Sequence, residues 1–380
     1  MLKIAIDCRE LEKIRFGIGR FVKGIIDYLN NYPVDIDITL IVYEGYDKTL
    51  FDLSKYRLMV FKKNYPLIIL DHIIIPIELK KHTIDLFYSP YYKIPIRGRF
   101  KKIGMIHDLN IIKREVGYPL WKRLLYRYLF KFYSRQMNKI VTDSNYSKQD
   151  IINYLKVDEK KVKVISIPLD KIFLIDSAPG REQQTRDIFL FVGNILKHKN
   201  IEFLLKVYSK LETSIRKRYK LILAGKINDY YKKRLERLGY SFGLGKEEFE
   251  FSGFVSEEEL VNLYRRAKIF LFPSLLEGFG VPVVEAQAMG VPVIASDRTS
   301  IPEVACNAAV LLNPYNVDEW VETILKLLNN ENFRDELIKR GKSNVSRFSL
   351  DKIGLEFFDF IRNQVVYSNS EPQTFSQEST

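Results

Sequence analysis

The stretch Glu277-Gly-Phe-Gly-Val-Pro-Val-Val-Glu-Ala286 sets two glutamates eight residues apart, with two glycines and a proline between them. The apolar run Lys268-Ile-Phe-Leu-Phe-Pro-Ser274 ahead of it predicts a buried strand. Pro282 suits the first position of a helix, where its missing N–H costs nothing. Strand, glycine loop and helix start therefore follow one another. That order is expected to leave Glu277 on the loop, Glu285 in the first helical turn, and unpaired backbone N–H groups over Gly278, Phe279, Gly280 and Val281. Such donors suit an anion, and the flanking carboxylates suit hydroxyls.

The same alternation of short β-branched runs and helical periodicity extends in both directions, the pattern of parallel α/β domains. Strands are predicted at 3–7, 38–43, 57–61, 84–88, 102–106, 140–142 and 162–165, and again at 188–192, 221–224, 250–252, 269–272, 291–295 and 309–312. The fold class is α/β, with two Rossmann-like doubly wound domains facing across a cleft. The expected division is an N-terminal domain at 1–168, a linker at 169–187 rich in turn residues, and a C-terminal domain at 188–349. A final amphipathic helix over 350–366 and a polar, disordered tail at 367–380 complete it. The cleft between the domains is the expected site.

A length of 380 residues is too great for one ordinary core, which also argues for two domains. Two cysteines, Cys8 and Cys306, provide neither a disulfide framework nor a metal cluster, as suits a reducing compartment. No apolar run is long enough to span a bilayer, so the expected location is the cytoplasm, or the cytoplasmic face of a membrane as a peripheral protein.

Net charge is +13, and residues 1–168 hold all of it, with 31 basic against 18 acidic residues. That asymmetry aims the N-terminal half at a polyanion or an anionic surface. The segment 117–135 contains no acidic residue except beyond its ends, and Arg123, Arg127, Lys131 and Arg135 recur every four positions. Beside this row Trp121, Leu124, Leu125, Tyr128, Leu129 and Phe132 form an apolar stripe. Such a helix suits an anionic membrane surface or a lipid-linked acceptor. The alternative packs the stripe inward and leaves the basic row in water. No nucleic-acid-binding motif accompanies the charge, so no nucleic-acid partner is expected.

Three further loops bear on chemistry. Gly17 and Gly19 stand before a helical pattern with Arg20 beside them, but Val22 replaces the glycine that a nicotinamide-type fingerprint needs, so they suit close approach to a phosphate and not a dinucleotide site. Gly193 and Asn194 follow the strand 188–192, and Lys197 and Lys199 can reach an anion at the carboxyl ends of the strands. His107 and Asp108 close the strand 102–106 and are placed to face the cleft, toward a sugar or an acceptor. Asp35 and Asp37 lack a partner ligand in the sequence, and no metal is expected.

Together these segments resemble the retaining glycosyltransferases of family four, in the two-domain GT-B architecture. The matches are Asp7 with Gly17-Ile-Gly-Arg20, His107-Asp108, Asp143-Ser-Asn-Tyr-Ser-Lys148, Phe191-Val-Gly with His198-Lys-Asn200, Leu223-Ala-Gly225, Ser252-Gly-Phe-Val255, and the glutamate block followed by Gly290-Val-Pro-Val-Ile-Ala-Ser296. They run in the expected order along nearly the whole chain. The resemblance implies that Glu277 and the backbone of Gly278 to Gly280 hold the donor sugar and phosphate, that Glu285 binds ribose hydroxyls, and that Lys199 contacts the diphosphate, with Gly17 and Gly19 opposite. Many relatives carry an arginine where Asn194 stands, so phosphate neutralisation is expected to fall on Lys199, helped by Lys197. Cys306-Asn307 is a second departure, at a pair that a glycine often begins.

The implied reaction transfers a hexose from a nucleotide-sugar with retention, plausibly by front-face attack in which the donor phosphate helps to deprotonate the acceptor. His107, Asp108, Glu277 and Lys199 are the expected catalytic set, with Glu277 a binding and electrostatic residue. Cations and helix N–H groups aimed at the leaving diphosphate make a divalent ion unnecessary. The Gly-Ile-Gly-Arg and His-Lys-Asn variants point to mannose from GDP-mannose. The expected acceptor is a glycan or a polyprenyl-diphosphate-linked sugar. The competing readings are a sugar-nucleotide epimerase of the same architecture, a glycoside hydrolase using the two carboxylates, and a basic nucleic-acid-binding protein.

Overall fold

The computed structural model describes residues 1–13, 17–175 and 186–366. It contains two parallel sheets. The first holds β1 (Lys3–Asp7), β2 (Asp37–Tyr43), β3 (Arg57–Phe61), β4 (Leu86–Ser89), β5 (Lys101–Met105), β6 (Lys139–Thr142) and β7 (Val162–Val164), in the order β3-β2-β1-β4-β5-β6-β7. The second holds β8 (Ile188–Val192), β9 (Lys220–Ala224), β10 (Phe249–Gly253), β11 (Ala267–Phe272), β12 (Val293–Ser296) and β13 (Val310–Leu312), in the order β10-β9-β8-β11-β12-β13. Every predicted strand is present, shifted by at most two or three residues at an end.

Central strands are buried on both faces, which is why Ile4-Ala-Ile6, Phe189-Leu-Phe191 and Ile269-Phe-Leu-Phe272 read as unbroken apolar runs. In each sheet the strand order reverses beside the first strand, between β1 and β4 and between β8 and β11. A doubly wound sheet opens a crevice there, outside the carboxyl ends of the strands. Asp7, Pro90, His107, Gly193 and Glu277 all follow strands that end at these crevices.

The final helix, Leu350–Val366, does not stay with the domain that precedes it in sequence. Phe357 meets Phe21 and Tyr88 edge-on, Phe358 stacks on Tyr28, and the Tyr32 hydroxyl donates to Asp351 at 2.5 Å. Gly354 leaves room for the Tyr28 ring, into which a Cβ would run. The chain thus crosses back and ties its C-terminal end to the first domain. Of the expected linker, residues 176–185 lie outside the described residues, as does the expected disordered tail at 367–380.

Candidate active site

The glutamate loop departs from β11 and turns at Gly280, whose φ of +102° favours glycine, into the helix Val281–Ala288. Val281 opens that helix and Pro282 is second, so Glu285 is its fifth residue, one residue deeper than the sequence suggested. There it is completely buried. The Tyr264 hydroxyl donates to Glu285 Oε2 at 2.8 Å, and the Arg20 guanidinium from the other domain forms an ion pair with Oε1. Burial draws Arg20 below the ordinary arginine value, while Tyr264, Asp170 and Glu257 oppose that shift.

Glu277 is buried and ion-paired with Lys199. Its backbone N–H donates to Thr299 Oγ1 at 3.0 Å, and its carbonyl accepts from Ser300 Oγ at 3.1 Å, so the loop is held from the side as well as from its ends. Lys199 lines neither principal cavity. It stands behind Glu277 and close to Gly193, so its charge is felt at the junction of the two cavities described next. Lys197, on the same turn, is exposed and lines neither cavity, because the turn Lys197–Lys199 aims alternate side chains away from the cleft. The buried His198 between them has its pKa pushed down to about 4 by desolvation and the neighbouring Lys199 charge.

The first cavity, of about 180 Å³, is walled by Gly193, Asn194, Gly225, Lys226, Phe254, Glu257, Glu285 and Arg20. Gly193 and Gly225 both have positive φ, and a Cβ on Gly225 would collide with the Gly193 carbonyl, so the two strand-end loops touch only because both are glycine. The second cavity, of about 460 Å³, joins the domains. His107, Asp108 and Asp143 line one side, and the loop from Glu277 to Pro282, with Phe279, Gly280 and Val281, lines the other. Tyr91, Tyr92, Tyr126 and Phe130 give it an aromatic wall. At the start of the helix Gly17–Asn31, Arg20 reaches the first cavity and Ile18 the second.

His107 is committed on both nitrogens: Nδ1 to Asp143 Oδ2 at 2.7 Å and Nε2 to the Pro90 carbonyl at 3.1 Å. Burial alone would lower its pKa, but the Asp143 carboxylate outweighs burial and raises it. With both nitrogens engaged, His107 is held in place beneath the cavity and neither nitrogen is free to act as a base. Asp143 has its own carboxyl raised by burial, with His107 opposing. Asp108 is raised as well, first by burial, then by Asp143 and Glu277 against the Asn110 N–H and His107.

The domains meet at Gly278. Its carbonyl accepts from Ser144 Oγ at 2.6 Å and Ser147 Oγ at 3.3 Å. A Cβ there would lie 2.8 Å from that of Asp108. Glu303 completes the seam by accepting from the Asn145 N–H at 2.9 Å and the Asn145 side chain at 2.8 Å, at the N-terminus of the helix Asn145–Leu155. Sequence reading had assigned no role to Tyr264, Glu303 or the aromatic wall. Asp143, Ser144, Asn145 and Ser147 lie within the motif Asp143–Lys148, and Tyr126 and Phe130 within the segment 117–135.

The basic helix spans Leu120–Gln136. Phe130, Tyr133 and Ser134 are its buried residues, and Leu129 and Phe132 are partly covered. Trp121 is 67% exposed, and Leu124, Leu125 and Tyr128 are exposed beside it. Of the stripe, Trp121, Leu124, Leu125 and Tyr128 therefore face water, while Tyr126 and Phe130, which lie outside it, face the second cavity. Arg127 and Arg135 are exposed and Lys131 half so, whereas Arg123 Nε donates to the Ile112 carbonyl at 3.0 Å and is tied to its own domain. No helix among the described residues is long and apolar enough to cross a membrane. Asp37 pairs with Arg57 at 2.5 Å, and no group of potential metal ligands occurs among the described residues.

With this geometry in view, the likeness to known proteins is informative. Residues 175–344 match the family described as glycosyl transferases group 1. The chain is 31% identical to the serotype-specific mannosyltransferase WbdA of Escherichia coli over 261 residues, 66% of this chain and 32% of that protein. It is 27% identical to the O-antigen chain mannosyltransferase B of Escherichia coli, covering 77% and 79% of the two. The chain thus spans about a third of the length of its WbdA relatives. The structure of Anabaena HepE in complex with UDP and glucose superposes with a TM-score of 0.73 at 17% identity, over 96% of this chain and all of that one. The two parallel-sheet domains are those of the GT-B fold, and these likenesses together support a GT-B glycosyltransferase.

Proposed function

We propose that the protein is a retaining, metal-independent hexosyltransferase that moves mannose from GDP-mannose to a glycan or polyprenyl-diphosphate-linked acceptor in cell-surface polysaccharide synthesis. The observation that carries this reading is the pairing of Glu277 with Lys199 beside two adjoining cavities. Glu277 lines the larger, aromatic cavity with His107 and Asp108 across from it, and that cavity shares Val281 and Pro282 with the smaller one, which Gly193, Arg20 and Glu285 line. A nucleotide in the first cavity, with ribose hydroxyls toward Glu285, places its diphosphate beside Lys199, Arg20 and the start of the helix Val281–Ala288. The hexose then extends toward Glu277.

In the reaction the anomeric C–O bond to the diphosphate breaks and a bond from the acceptor oxygen forms on the same face. The acceptor proton passes to the departing phosphate oxygen. Lys199 and Arg20 stabilise charge growing on the diphosphate, an effect worth roughly 3 kcal/mol per preorganised donor in other enzymes. Arg20 supplies the cation missing at Asn194. These two cations, Lys199 in place and Arg20 once it leaves Glu285, fill the role a divalent ion would otherwise take. Asp108 accepts from the acceptor hydroxyl and holds it for attack.

The size and aromatic lining of the second cavity favour a transferase over an epimerase, which needs no room for an acceptor. Tyr126 and Phe130 belong to the helix Leu120–Gln136, whose opposite face exposes Trp121, Leu124, Leu125 and Tyr128. One helix can therefore rest on an anionic membrane at the cytoplasmic face and present a lipid-linked acceptor to the cavity behind it. Incubation with GDP-mannose and a mannosyl acceptor, in the absence of metal, tests the reading. An α-linked mannoside is expected. An inverted product, a 2-epimer of the donor or transfer only from another nucleotide-sugar would contradict it.

A further inference from the structure

A second apolar surface lies on the N-terminal domain, on a segment that the site does not use. After β3 the chain reads Lys62-Lys-Asn-Tyr-Pro-Leu-Ile-Ile-Leu-Asp-His-Ile-Ile-Ile-Pro-Ile-Glu-Leu-Lys-Lys81. It folds as the helix Leu67–Ile69, a π-helical turn Leu70–Ile74 and the helix Ile75–Lys81. Leu70, Ile75 and Leu79 are buried in the domain core. Ile68 is 76% exposed, and Ile69, Ile73 and Ile77, spaced by four, form an exposed row beside it. Isoleucine is a mediocre helix former, so helix propensity gives no reason for such a row on a water-facing side.

Beside the row is a groove of about 840 Å³, lined by Ile73, Ile77, Lys80, Arg97 and Arg99 among others. Gly98, at φ +114°, makes the tight turn that sets the two arginines on either side of it, and a Cβ there would run into the Phe100 ring. Among the described residues, Arg97, Arg99 and Lys80 have no acidic partner. The two nearby acids are engaged: Asp85 accepts from the Lys3 N–H at 2.8 Å, and Glu78 pairs with Lys81 at 2.6 Å. His72 joins this segment to the helix Leu120–Gln136 through Tyr133, with Nε2 and the hydroxyl 2.9 Å apart and the rings stacked.

We propose that the segment 67–81 and the turn at Arg97-Gly-Arg99 form a binding site for an anionic phospholipid, a second anchor beside the helix Leu120–Gln136. Ile68, Ile69, Ile73 and Ile77 enter the acyl boundary, and Arg97, Arg99 and Lys80 hold the headgroup phosphate. The charge selects this occupant. An apolar row rimmed by arginine and lysine that have no acidic partner among the described residues complements an anionic leaflet. Guanidinium forks also match phosphate oxygens in pairs. The proposal extends the membrane reading of Leu120–Gln136, and the test separates the two.

The full chain is sedimented with phosphatidylcholine vesicles, with and without phosphatidylglycerol, at physiological salt. Binding is expected only with phosphatidylglycerol. Each basic residue near such a surface strengthens binding about fivefold, so Arg97→Ala with Arg99→Ala should weaken it about 25-fold. Ile73→Asp with Ile77→Asp should reduce it at least about tenfold. Transfer to a water-soluble acceptor and the circular dichroism spectrum should stay unchanged in both. Loss of binding in Trp121→Asp with Leu125→Asp, but not in these variants, would overturn the second anchor and leave the first. A concentration-dependent dimer that Ile73→Asp disrupts, without vesicle binding, would overturn it in favour of a second copy. Full competition by soluble glycerol phosphate would reduce it to an ion site and overturn the lipid assignment.

Discussion

Arg20, on the first helix of the N-terminal domain, is ion-paired with Glu285, a completely buried carboxylate of the C-terminal domain. The family resemblance assigns ribose to Glu285, so on the proposed function a nucleotide would take the place of Arg20 on this carboxylate and leave the guanidinium beside the diphosphate. Replacing Arg20 with alanine should therefore leave guanosine affinity unchanged or improved while lowering kcat about 10²- to 10³-fold. Calorimetry with the nucleoside and steady-state kinetics with the nucleotide-sugar give the two readings. Equal losses in both would make Arg20 a simple binding residue.

Gly278 carries the closest approach of the two domains near the chemistry. A methyl group there meets the Asp108 Cβ at 2.8 Å and the His107 carbonyl at 3.1 Å, and both belong to half-buried residues whose side chains are held by hydrogen bonds. Gly278→Ala should force the cleft open by a fraction of an ångström to an ångström. A displacement of that size typically costs about 10²-fold in rate. The nucleotide cavity does not include Gly278, so GDP binding should remain as in the wild type. Kinetics against acceptor concentration, with GDP binding as the control, check this.

The fold was legible because parallel strands buried on both faces leave an unmistakable apolar signature, and because glycine and proline punctuate the loop after β11. The placement of Glu277 and Glu285 was legible for the same reason: both sit on one continuous strand–loop–helix unit. What escaped reading is what comes from elsewhere in the chain. Arg20 and Tyr264 reach Glu285 from other elements, and Glu303 caps a helix of the opposite domain. No local periodicity reports such partners. The expected role of Lys197 illustrates the opposite error, since proximity in sequence to Lys199 says nothing about direction on a tight turn. The helix Leu120–Gln136 was recognised by its spacing, but the turning of Phe130 toward the cavity depends on Tyr92, which packs on both Phe130 and Tyr133 from another element.

The buried His198 gives the protein an acid limit. Its pKa is about 4 in the folded state, through burial and Lys199, against an ordinary value near 6.5. The unfolded chain takes up its proton first as pH falls. The stability His198 confers is thus complete above about pH 6.5 and lost progressively down to about pH 4, on the order of 3 kcal/mol in all. His198→Gln should flatten that part of the stability curve, as measured by urea unfolding between these limits. An unchanged slope would place the acid transition elsewhere.

The central claim is that the cavity between Gly193, Arg20 and Glu285 holds the nucleotide of a sugar donor. Titration calorimetry of GDP, UDP and ADP into the wild type and Glu285→Ala, with no added metal, tests it most directly. The account predicts selective binding of GDP that the substitution weakens at least about tenfold, through lost ribose bonds worth at least about 1.4 kcal/mol. Absence of binding by all three nucleotides, or equal binding by the variant, would contradict it.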